Sequence, residues 1–125
     1  MTGLDGQPVR DEGIVGAAVS NAVVGLVRQY TGRGPTKART SISRDLVSVV
    51  MADTLTTAER KLVDDGKRDL VLQIRHEFQK TMRGDLVAAV EKITERKVIA
   101  FMSDNHINPD MAVESFVLQP EPEAG

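Results

Sequence analysis

The chain holds two histidines, His76 and His106, and no cysteine. With no thiol, disulfides, thiolate metal sites and a cysteine nucleophile are all excluded. His106 lies among carboxylates, in Asp104-Asn105-His106-Ile107-Asn108-Pro109-Asp110. Asp104, His106 and Asp110 are the residue types of a metal or acid–base site. The Asn, Asp and Pro of the same run are also what a hairpin loop requires. No second ligand cluster elsewhere would complete a site. His76, between Arg75 and Glu77, reads as a helix surface residue. None of the serines, at 20, 41, 43, 48, 103 and 115, lies in a Gly-x-Ser-x-Gly elbow. The reading is a protein that is not an enzyme, with no catalytic residue set, no metal and no cofactor.

A second group is basic. Arg28, Arg33, Lys37, Arg39 and Arg44 fall in a stretch without an acidic residue, around Gly32-Arg33-Gly34-Pro35-Thr36-Lys37. Arg33, Gly34, Lys37, Arg39 and Arg44 are candidate contacts for a phosphate, a carboxylate or an acidic partner surface. The stretch is not a P-loop, which runs from strand to helix and uses the positive helix N-terminus. Here the glycines follow a helix. The plainer alternative is a C-cap whose cations complement the helix dipole. The mixed run Glu59, Arg60, Lys61, Asp64, Asp65, Lys67, Arg68, Asp69 reads as a solvated helix face.

The elements that would position these residues follow from periodicity. Val15, Val19, Ala22, Val23, Leu26, Val27 and Tyr30 share one face of a helix expected over residues 11–30. Gly16, Ala17, Ser20 and Gly25 are small enough to admit another backbone, from the same chain or a second copy. Gly32 supplies the left-handed stop and Pro35 bars continuation. Residues 38–43 and 46–52 form a hairpin around Arg44-Asp45, the second strand mostly buried. Thr56-Thr57-Ala58-Glu59 is a capping box opening a short helix to about Asp64. Asp65-Gly66 breaks it. A longer helix carries Leu70, Val71, Ile74, Phe78 and Met82, with Gly84 as a break or kink, then Leu86, Val87, Val90 and Ile93. Strands follow over 98–102 and 112–118, joined by a polar loop at 103–110. In the last strand Glu114 and Phe116 face one way and Val113 the other. The order α-β-β-α-α-β-β predicts an α+β, two-layer fold, with a four-stranded mainly antiparallel sheet covered by helices on one face. Residues 11–119 form one domain, between flexible tails at 1–10 and 120–125, the second acidic.

Bulk properties narrow the function classes. A chain of 125 residues suits a single domain that buries a core without metal or disulfide. Sixteen Lys+Arg against 18 Asp+Glu give a net charge of -2, and there are only 3 Phe, 1 Tyr and no Trp. Nucleic-acid binding wants a basic surface and stacking aromatics, so it is not expected. The apolar run Ile14–Val27 falls short of the about 20 residues of a spanning helix. Direct membrane insertion is not expected, and the lack of Cys fits a cytoplasmic location.

The sequence resembles the MpsC family, small bacterial proteins associated with a sodium-dependent, membrane-potential-generating and bicarbonate-uptake system. Four pieces carry the resemblance in order: Tyr30-Thr31-Gly32-Arg33-Gly34-Pro35 with Ala38-Arg39-Thr40; Leu55-Thr56-Thr57-Ala58-Glu59; Gly66-Lys67-Arg68-Asp69-Leu70-Val71 leading to Gln73-Ile74-Arg75; and Lys97-Val98-Ile99-Ala100 through Ser103-Asp104 to Phe116-Val117-Leu118. They span most of residues 11–119. The family often has Pro at the position of Thr57 and near that of Gly84. The resemblance implies a non-enzymatic, cytoplasmic accessory or regulatory protein that interacts with a membrane transport protein. A homodimer joined through the first helix is expected. The alternative is a sensor of a small anion or nucleotide, using the basic Gly-Arg-Gly-Pro loop.

Overall fold

A computed structural model describes residues 11–122. The tail expected at 1–10 lies outside those residues, as do 123–125. The elements are α1 (Glu12–Thr31), β1 (Lys37–Ser43), β2 (Leu46–Ala52), α2 (Thr57–Asp64), α3 (Arg68–Thr94), β3 (Val98–His106) and β4 (Met111–Leu118). The strands form one antiparallel sheet in the order β1-β2-β4-β3. Helices α1 and α3 cover one face, and the fold is α+β as the sequence predicts.

Each boundary has a local cause. Asp11 accepts from the N–H groups of Gly13 and Ile14, capping α1. Gly32 ends it at φ 80°, its N–H returning to the Arg28 carbonyl. Thr56 and Glu59 form both halves of the capping box at α2.

Three local expectations are corrected. Gly84 does not break α3, which runs from Arg68 to Thr94, and Met82 and Leu86 on either side of it are both buried and hold the turn. Strand β3 does not stop at residue 102 but runs to His106. Its polar end pairs with β4 from Ser103↔Glu114 to His106↔Met111. Strand β2 is half-buried rather than mostly buried: Val47, Val49 and Met51 enter the core while Leu46 and Val50 face out.

The main core joins Val15, Val19, Val23 and Val27 of α1, Met82, Leu86 and Val90 of α3, and the inward residues of β2 and β4 around Phe116. Phe101 and Phe116 are tilted ring neighbours with centroids 5.1 Å apart. Two of the small α1 residues are used inside this chain. A Cβ on Gly16 would already stand 3.7 Å from Thr40 of β1, and the Ser20 and Thr40 hydroxyls lie 2.7 Å apart. Gly16 and Ser20 therefore let α1 approach its own sheet.

Candidate functional site

Asp110, read as a ligand or base, is instead a backbone clasp. Its Oδ1 accepts from the Thr54 N–H (3.0 Å) and the Thr54 hydroxyl (2.9 Å), and its Oδ2 from the Leu55 N–H (3.0 Å). The Arg60 guanidinium lies between Asp110, at 3.5 Å, and Asp53, which it also pairs. Asp53 takes Arg33 as well, at 2.5 Å. Arg33 and Asp110, far apart in sequence, thus belong to one network. It ties the loop after α1 to the end of β2, the start of α2 and the β3–β4 turn. No motif marked Asp53, which sits at a left-handed φ of 61°.

The other two members of the Asp104, His106, Asp110 set do not join it. His106 Nδ1 lies 2.8 Å from the Pro109 carbonyl, within its own turn. Asp104 is exposed and accepts from the adjacent Asn105 N–H. Among the described residues no cluster of three His, Cys, Asp or Glu could hold a metal.

The basic stretch also divides. Gly34 leaves room for Arg28, whose Nε would be 2.9 Å from a Cβ placed there. Lys37 and Arg39 project from β1 onto the uncovered sheet face. Arg44 occupies the β1–β2 turn at the opposite end of the strand, with φ 55°. Its carbonyl accepts from Arg96. Seven residues of strand separate the two ends, roughly 20 Å, so Arg33 and Arg44 cannot grip one small anion.

A buried polar line lies under α3, and sequence reasoning missed it. Val71, Arg75, Gln79, Met82, Leu86 and Val90 form the helix's inward stripe. Arg75 contacts Glu59 Oε1 and the Thr54 carbonyl, both at 3.4 Å, and Asn105 Oδ1 at 3.5 Å. One turn on, the Gln79 amide donates to Glu114 Oε1 at 3.4 Å. Glu114 is 1% exposed, in the centre of the covered sheet face between Val49 and Ser103. Burial pushes its carboxyl up to about 7, and Ser103, Gln79 and Arg75 pull back only part of that. Glu114 Oε2 and Ser103 Oγ both lack a hydrogen-bond partner. The available signal was phase: Arg75 and Gln79 follow Val71 at four-residue steps, and Glu114 alternates with Phe116.

On the helical side an apolar cleft of 450 Å³ opens between α1 and α3, lined by Tyr30, Leu70, Ile74 and Phe78 with Gln73, Glu77 and Thr81 at its margins. The Tyr30 hydroxyl donates to Asp85 at 2.5 Å. That hydrogen bond holds the phenol above its ordinary range. No described helix is long and apolar enough to cross a membrane.

The family described as the Na+-translocating membrane potential-generating system (MpsC) matches residues 12–120, the whole of the folded unit. The chain belongs to the MpsC family. No curated protein matches it, and no solved structure does. In MpsC terms the match runs from the first residue of α1 past the end of β4, so it includes the clasp, the buried polar line and the cleft.

Proposed function

We propose that this MpsC protein is a non-enzymatic accessory component that works from the cytoplasmic side. It binds a protein of the membrane-potential-generating system and regulates ion or bicarbonate transport. The observation that carries this reading is the family match across the entire domain. The fate of the polar residues supports it. Arg33, Asp110, Arg75 and Glu59 are committed to holding elements together, and Asp104, His106 and Asp110 do not converge. What remains accessible is surface for a partner. The cleft beside Tyr30 offers apolar area to a cytoplasmic segment of a membrane component.

Cells lacking the protein are expected to lose most of their sodium-dependent bicarbonate uptake. Wild type restores it on re-expression. An Ile74→Glu variant, which places a charge in the cleft, does not restore it while keeping its circular-dichroism spectrum. Uptake that is unchanged by loss of the protein would refute the regulatory role.

A further inference from the structure

The sheet has one covered face and one open one. The open face is apolar at its centre. Leu46, Val50, Met102 and Met111 are 37–53% exposed there, and Val113 and Val117 complete the patch. Helices and sheets are hydrophobic on a face that another element buries, and no described element covers these residues.

The ladder also sets charges across that face. One row reads Arg39, Val50, Val113, Asp104, from the β1 edge to the β3 edge. The next row on the same face reads Lys37, Ala52, Met111, His106, and on the other side lie Ser41, Ser48, Ser115, Met102. The β1 edge is therefore cationic, the β3 edge anionic at Asp104, and the middle uncharged. Arg39 makes no ion pair among the described residues, and Asp104 bonds only its neighbour's N–H.

We propose that this face binds a second copy of the same chain, as a sandwich of two sheets about a two-fold axis along the mean strand direction. The charge pattern selects the partner and the axis. That rotation lays β1 over β3 of the second copy, so each Arg39 faces the other's Asp104 at both edges. An in-plane axis across the strands would lay β1 over β1 and β3 over β3, opposing Arg39 to Arg39 and Asp104 to Asp104. Sheets stack about 10 Å apart in aligned packing, a gap that Arg spans. The serine row lets the centres approach. A face of four strands offers roughly 450 Å² in projection, or about 900 Å² over the two copies, which is below the standard interface range and fits a weak, reversible dimer. This assignment does not depend on the transport reading. It places self-association on the sheet rather than on α1, where Gly16 and Ser20 already pack on Thr40.

The test is mass by sedimentation equilibrium at tens of micromolar. Wild type is expected at twice the 13.6 kDa chain mass. Arg39→Glu and Asp104→Arg, each alone, put like charges at both edges and weaken the dimer at least tenfold. Val50→Asp at the centre does the same. All three are surface changes, so at concentrations where wild type is monomeric they leave the melting temperature nearly unaltered. Mixing Arg39→Glu with Asp104→Arg restores a dimer, because one edge then pairs Glu with Arg and the other pairs the native Asp104 and Arg39. A monomeric wild type, single variants that remain dimers, or a mixture that stays monomeric would each overturn the proposal.

Discussion

Replacing Glu114 with Gln is expected to raise stability at pH 8 by roughly 3 kcal/mol, the energy of a shift from 4.5 to about 7. That corresponds to roughly 10 °C in melting temperature. The carboxyl sits in the centre of the core, 1% exposed, and its ionised form has lost water without gaining a cation of its own. Arg75, the nearest guanidinium acting on it, is already shared with Glu59 and Thr54. The sign is fixed by proton binding. Between pH 4.5 and about 7 the folded chain keeps a proton that the unfolded chain has released, so wild-type stability falls as pH rises through that window and levels off above it. Glutamine is neutral throughout and keeps an amide next to Gln79. The variant's profile should therefore be flat in the window, meeting wild type near pH 5 and exceeding it at pH 8. Urea midpoints taken at half-unit steps from pH 5 to pH 8 check this. Parallel profiles for the two proteins would show that Glu114 is solvated and that the buried polar line is misread.

Arg75→Met is expected to cost about 3–5 kcal/mol, the usual penalty for stranding one partner of a buried ion pair. Arg75 and Glu59 are each about 4% exposed, with 3.4 Å between charged atoms. Removing the guanidinium leaves the Thr54 carbonyl without that donor and Glu59 without its counterion. The double variant Arg75→Met/Glu59→Met should recover part of the loss, since two apolar side chains replace a pair that was costly to desolvate, while the Thr56 N–H still loses the Glu59 half of its capping box. It should also raise the midpoint of the Glu114 titration, because Arg75 lowers it. Denaturant unfolding of the four corners of the cycle gives the coupling directly. A single variant that loses less than about 1 kcal/mol would mean that Arg75 does not anchor α3 to α2.

These two residues also show where sequence reading stops. The helices were legible because end signals and apolar spacing agree: Gly32 and the Thr56–Glu59 box each fixed an end. The strand order within hairpins was legible from β-rich runs around Arg44-Asp45. What failed were rules that weigh residue type without neighbours. Gly84 looked like a break, yet burial of Met82 and Leu86 outweighs the about 1 kcal/mol cost of one helical glycine. Residues 103–106 looked like a loop because they are polar. Their inward members, Ser103 and Asn105, face the polar line that Glu114 and Arg75 create, so polarity suits that end of β3. Leu46 and Val50 looked buried because they are apolar. Their exposure is visible only when the alternation of β2 is set against helices on a single face. The clasp was out of reach for another reason. Arg33, Asp53, Arg60 and Asp110 meet only after the sheet has formed, and no spacing in the chain marks them as a set.

The resemblance read from ordered motifs agrees with the family match over residues 12–120. The accessory role is the central claim, and recovery of partners tests it most directly. The tagged protein is drawn from membranes of its native host in mild detergent, beside Ile74→Glu as a folded control, and the bound proteins are read by mass spectrometry. The account predicts that a membrane component of the ion-transport system comes down with wild type and is lost with Ile74→Glu. Recovery of the chain alone, or of soluble proteins alone, would contradict it.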